Sequence, residues 1–135
     1  MLVQVPHGDI QGVWHEFHSL IASAFDAVPL SDDTIIEIYD DLLAHRSILW
    51  VNYDGHDLLM AGTTKIMNYP NGRRVCVITS VAGHSHKKWV HTIQEIEQYA
   101  KSQGCVSVRL SGRQGWKILK SQGYHEPWVT LEKEI

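Results

Sequence analysis

The sequence is short of cysteine, of proline and of basic residues in excess, and each shortage closes a class of protein. It holds two cysteines, Cys76 and Cys105, with no CxxC and no zinc-finger spacing, so neither a disulfide framework nor a structural zinc site is expected. Both lie in stretches that read as strands, which makes them reduced core residues. Four prolines and no low-complexity tract leave no linker able to divide the chain, and one domain over residues 1–135 is expected. Lys and Arg number 12 against 15 Asp and Glu, a net charge of −3, which excludes a broad nucleic-acid or anionic-membrane surface. No apolar run approaches the roughly 20 residues of a membrane span. The opening MLVQVPHGDIQG lacks the basic start and apolar stretch of a signal peptide, so a cytoplasmic location is expected.

What the chain does hold is a central strand, turn, helix and strand, Val75 to Leu110. Val75, Val77 and Ile78 open an apolar, β-branched run that suits a buried strand. Trp89, Ile93, Ile96 and Ala100 then recur at helical spacing. Gly104 is placed for a left-handed cap, and Val106, Val108 and Leu110 alternate as in a strand. Such a unit predicts a parallel pair with a right-handed crossover. Its turn, Gly83 to Lys88, would aim backbone N–H groups outward from a helix start, which favours an anion.

In chain order, Leu2 to Val5 reads as a strand, and Asp9 as the N-cap of a helix to about Phe25. Ile10, Val13, Trp14, Phe17, Ile21 and Ala24 form its buried stripe, with His15 and His18 solvated. Ser31 is expected to cap a second helix, buried through Ile35, Ile38 and Leu42 and ending near His45-Arg46. Three antiparallel strands follow: Ser47 to Tyr53, Asp57 to Tyr69 and Arg73 to Ser80. They are joined by the Asp54-Gly55 and Pro70-Asn71-Gly72 turns, and Gly62 marks a bulge or a close backbone contact. After the central unit come a short helix, Trp116 to Ser121, ended by Gly123, and a last strand, Trp128 to Glu132. The expected class is α+β, a mixed, mostly antiparallel sheet of about six strands with helices on both faces.

This order resembles the GNAT (Gcn5-related N-acetyltransferase) superfamily over nearly the whole chain. The segment CVSVRLSGRQGWKILKSQGY is similar to the strand, short helix and Gly-aromatic step that end GNAT domains. Leu49-Trp50, Ala82-Gly83, Trp89, Gly104-Cys105 and Gly112-Arg113 with Gly115-Trp116 look like a group of small GNAT-like proteins of bacteriophages and prophages. The resemblance implies an acyl-CoA-dependent N-acetyltransferase, using acetyl-CoA on an amine-bearing small molecule or protein. It implies that Thr79, Ser80 and Val81 hold the pantetheine arm through their backbone. Gly83, His84, Ser85 and Lys87 would then meet the phosphates. Two family markers are missing. Neither glycine of the pyrophosphate turn is matched, Gly83 standing too early. With Gly123-Tyr124 set on the final step, Leu119 occupies the place of the usual tyrosine acid, and Gly112 that of a frequent asparagine. The phage-type likeness implies the alternative of a non-catalytic virion, assembly or host-interaction protein. It would meet phage structural proteins in the bacterial host cytoplasm or in the virion.

Other clusters read as structural. His84, His86 and His91 have no Asp, Glu or Cys nearby in sequence to complete a zinc site, so no metal is expected. Asp40 and Asp41 read as a solvated helix face, and Arg113 and Trp116 as packing residues. Trp50 and Trp128 would form an exposed aromatic patch if both faced outward, whereas burial is the commoner outcome.

Overall fold

The backbone of Gly83 runs so close to that of Leu59 that a Cβ on it would stand 2.2 Å from the Leu59 carbonyl oxygen. The computed structural model describes residues 1–26, 34–111, 119–128 and 130–135. Five strands, β1 (Leu2–Val5), β2 (Ser47–Asp54), β3 (Asp57–Asn68), β4 (Arg74–Gly83) and β5 (Ser107–Leu110), form one sheet in sequence order. All neighbours are antiparallel except β4 and β5, which are parallel. The helices are α1 (Ile10–Asp26), α2 (Ile35–Leu43) and α3 (Ile93–Ser102).

The alternation along the strands divides the core in two. Leu49, Val51 and Ala61 pack with Ile10, Phe17, Ile21, Ile38 and Leu42 under α1 and α2. Trp50, Cys76 and Ile78 pack with Trp89, Ile93, Ile96 and Ala100 under α3. Each fully buried Ile or Leu contributes about 1.5–3 kcal/mol by leaving water. The mixed sheet, the helices on both faces and the parallel crossover agree with the sequence reading. Gly104 sits at φ +79°. There its own N–H and that of Cys105 close back on the carbonyls of Lys101 (3.1 Å) and Ala100 (3.0 Å), ending α3.

Several expectations change. The first helix begins at Ile10 behind a 3₁₀ turn, His7–Asp9, preceded by Pro6, so Asp9 lies inside that turn. Thr34 caps α2, its hydroxyl accepting from the Glu37 N–H at 3.2 Å, and α2 stops at Leu43. Ser31 lies outside the described residues, as do Gly112, Arg113, Trp116 and the start of the short helix after β5. Of that helix the described residues 119–122 are in 3₁₀ conformation, and Gly123 follows them at φ +92°. The sheet bulges lie at Asn52/Tyr53 and Thr63/Thr64. Gly62 instead makes the close contact, since a Cβ there would stand 2.8 Å from the Ser80 carbonyl oxygen.

Cys76 is buried in β4, but Cys105 stands before β5 and is half-buried; both are free thiols. Asp41 is not solvated: its side chain is 17% exposed and meets Arg46 at 2.7 Å and Lys65 at 3.1 Å. Trp50 is buried and Trp128 exposed, so they form no common patch. Among the described residues of the expected last strand, Trp128 and Thr130 to Glu132, none is in a strand. The Trp128 ring instead lies 4.4 Å from the Arg109 guanidinium, a cation–π contact.

Candidate functional site

The sheet opens where β4 outruns its parallel neighbour. The last β4–β5 partners are Ile78 and Leu110, while β4 continues to Gly83. Among the described residues no strand pairs with the outer edge of Thr79 to Gly83. That edge is therefore a row of peptide groups open to another extended, amide-bearing chain.

A bulge sits at the mouth of this opening. Thr63 pairs with Ser80 and Thr64 with Ile78, so Thr79 is the extra residue on β4. Three hydroxyls secure it. Thr63 Oγ1 lies 2.7 Å from Thr79 Oγ1 and 2.6 Å from Ser80 Oγ, and the Thr79 hydroxyl donates to the Thr63 carbonyl at 3.2 Å. Thr63 and Ser80 are buried. Sequence reasoning missed Thr63. The adjacent threonines Thr63-Thr64, in the middle of an apolar strand, are the signal that could have found it.

The turn differs from the expected anion cradle. Gly83 is the last residue of β4, opposite Met60, and a Cβ there would stand 2.2 Å from the Leu59 carbonyl oxygen. Its smallness serves this strand contact. The next N–H, of His84, donates to that same Leu59 oxygen at 3.0 Å. His84 is exposed, with Nε2 3.0 Å from the Leu58 carbonyl and Nδ1 3.3 Å from Ser85 Oγ. Ser85 stands in the left-handed region at φ 53°, an uncommon place for a residue other than glycine. His86–Lys88 form a 3₁₀ turn, in which the N–H groups of Lys88 and Trp89 close on Ser85 and His86 at 2.8 and 3.1 Å. A second 3₁₀ turn, Val90–Thr92, precedes α3. The true helix start thus lies well beyond the turn.

Trp89 explains this displacement. Its indole is buried and its Nε1 donates to the His84 carbonyl at 3.0 Å. The inner side of the turn is therefore filled by a ring. Ser85, His86 and Lys87 remain on the solvent side, all exposed, while Lys88 approaches Asp54 at 3.7 Å. The expected site residues fall into two groups. Thr79, Ser80 and Val81 lie along the open edge, and His84, Ser85 and Lys87 lie on the exposed turn. At about 3.3 Å per residue, Ser80 and His84 stand ~13 Å apart along the chain.

Leu119 is 1% exposed in the core under α3. The hydroxyl beside it in this region belongs to Tyr124, which donates to Glu97 Oε2 at 3.0 Å. Burial, then the Glu97 charge and the bond to it, push the Tyr124 phenol well above its ordinary value. Among the described residues no group of three His, Cys, Asp or Glu is placed to hold a metal. No helix there is long and apolar enough to cross a membrane.

A mixed sheet whose bulged fourth strand runs on past the end of a parallel fifth, with a helix between the two, is the arrangement of the GNAT fold, and solved structures share it. A predicted acetyltransferase from Clostridium acetobutylicum, solved with acetyl-CoA, superposes at TM-score 0.71 with 11% identity over 98% of this chain and 95% of its own. A ribosomal-protein-alanine N-acetyltransferase from Brucella melitensis biovar Abortus matches at 0.69 and 15% identity, over 100% and 99%. An aminoglycoside acetyltransferase from an uncultured soil metagenomic sample, in complex with trehalose, matches at 0.70 and 11%, over 100% and 95%. No family model and no curated protein sequence matches the chain.

Proposed function

We propose that this chain is an acyl-CoA-binding N-acyltransferase, with acetyl-CoA as donor and a primary amine as acceptor. The observation that carries this reading is the open edge Thr79 to Gly83 beyond the last β5 partner. Its peptide groups match the two amides of a pantetheine arm. The acetyltransferases of the same fold support it. The exposed Ser85, His86 and Lys87 offer a hydroxyl, a titratable ring and a charge to the phosphates from the solvent side.

In the reaction the amine nitrogen attacks the thioester carbonyl and forms the C–N bond, the C–S bond breaks, the nitrogen gives up one proton to solvent and the thiolate takes one up. Leu119 cannot supply that proton. An ordinary thiol has a pKa near 8.5, so a thiolate can leave at neutral pH with solvent as the eventual donor. Thr63, Thr79 and Ser80 at the bulge are hydroxyls and too weakly basic to deprotonate an ammonium ion. His84, the other candidate base, lies on the exposed turn ~13 Å along the chain from Ser80, so the acceptor is expected to arrive as free amine, and the rate with a simple amine should climb with pH until the pKa of that amine is passed.

The test is a thermal shift with acetyl-CoA, followed by release of free thiol with a panel of amines. Ligand at 100 times its dissociation constant adds about 2.7 kcal/mol, a rise of several degrees. No shift at millimolar acetyl-CoA would overturn the reading. A shift without turnover would favour a second one, a non-catalytic GNAT-fold protein, for which the buried Leu119 and the indole-filled turn speak. The virion or assembly role implied by the phage-type likeness belongs to this second reading. The acetyltransferases named above have no bearing on it.

A further inference from the structure

A cavity of about 720 Å³ lies away from the β4 edge, bounded by α3, β5 and residues 119–127, with Arg73 at its rim. No β4 residue is among the described residues that line it. Its size is that of a small-molecule site. Ala100 and Leu119, both buried, and the half-buried Val108 give it an apolar floor.

Charge around it is one-sided. Among the described residues that line it, four cations, Arg73, Lys101, Arg109 and Lys120, face two carboxylates. Glu126 is already taken by Lys120 at 3.4 Å, and Glu97 by the Tyr124 hydroxyl. Arg73 donates to Ser107 Oγ at 3.2 Å and Arg109 to the Tyr69 hydroxyl at 2.9 Å. Among the described residues neither arginine has a carboxylate partner. Gln122 also lines the cavity, and its Oε1 is buried without a hydrogen-bond partner. Two guanidinium groups that meet hydroxyls, and in Arg109 also the Tyr69 and Trp128 rings, but no carboxylate, above an apolar floor and with an unused acceptor, make a receptor for an acid with an apolar body.

We propose that this cavity is a binding site for a small organic acid: a flat or branched apolar body, one carboxylate or phosphate, and one hydrogen-bond donor. The anion meets Arg73 and Arg109, the body covers Ala100, Val108 and Leu119, and the donor meets Gln122. The site is separate from the acyl-donor edge and does not depend on its assignment. Tyr124 on α3 and Trp128 on Arg109 pin the two ends of the segment that closes it, so occupancy should also steady residues 124–128.

The test uses the whole protein and 4-hydroxyphenylacetate, with 4-ethylphenol as its uncharged counterpart, read by amide chemical shifts. The expected result is saturable shifts confined to Arg73, Ala100, Lys101, residues 105–110 and residues 119–128. Binding of 4-ethylphenol should be about tenfold weaker or more, as should binding of the acid to Arg73→Gln, a change at an exposed side chain. The acetyl-CoA thermal shift should be the same in Arg73→Gln as in the unaltered protein. Equal binding of acid and phenol, shifts on the His84 to Lys88 turn instead, or no saturation at millimolar acid would each overturn the proposal.

Discussion

Asp41 shows how far two cationic neighbours can change a carboxylate. Its sequence neighbour Asp40 is exposed, whereas Asp41 turns toward Lys65 of β3 and Arg46 beyond α2. Burial alone would raise its pKa, but the two hydrogen bonds and their charges together hold it below the ordinary carboxylate value. The folded value is thus lower than the unfolded one. The contact stabilises fully above the unfolded value, and that stability is lost as pH falls through the folded one. Asp41→Asn should cost about 1 kcal/mol or less at neutral pH, and urea unfolding of the two proteins should converge as pH drops below the carboxylate range. Cys76 is the opposite case. Burial first, then the nearby Cys105 and against a bond from Thr64, lifts its thiol from an ordinary 9.0 to about 11. Its contribution to stability therefore fades as pH rises from 9 through 11. Iodoacetamide should label Cys105 first in the folded protein and Cys76 only on unfolding, as mass spectrometry of the modified peptides would show.

At the scale of elements, the passage from β4 to α3 is where local rules were overridden. The Trp89 stripe spacing is helical, yet α3 starts at Ile93, because the indole is drawn under the turn to the His84 carbonyl. Thr92 helps to hold this arrangement, accepting from Asn52 Nδ2 of β2 at 3.1 Å. Gly83→Ala would place a methyl group against the Leu59 carbonyl oxygen. It should cost about 1–3 kcal/mol, as overpacking does, measured by the midpoint of chemical unfolding. If Gly83 served only to bind phosphate, this substitution would leave stability unchanged and weaken acetyl-CoA alone.

Across the whole molecule, the sheet divides two tasks. Under α1 and α2 the Thr63, Thr79 and Ser80 hydroxyls brace the bulge, while under α3 lies the core that positions Trp89 and Leu119. The N-terminal strand β1 lies at the far edge. Acetyl-CoA should therefore slow hydrogen exchange at Thr79 to Gly83 and leave β1 and β2 unchanged. Slowing spread evenly over the chain would place the ligand elsewhere.

Periodicity and turn residues determined that α1 to α3 and β1 to β5 would form, and with them the class of fold, because apolar spacing reports which face of an element must leave water. The stripe Ile10, Val13, Trp14, Phe17 and Ile21 is an instance, with every member buried or half-buried. Only the tertiary structure decided the rest. The Trp128 to Glu132 alternation formed no strand at its described positions; the Trp128 ring lies instead on the Arg109 guanidinium, a contact with a residue far away in the chain. Gly83 was drawn into contact with Leu59, Thr63 became the centre of a hydroxyl cluster, and Arg73, Arg109 and Gln122 came to line one cavity. Each outcome depends on contacts between residues far apart in the chain, which local spacing does not encode.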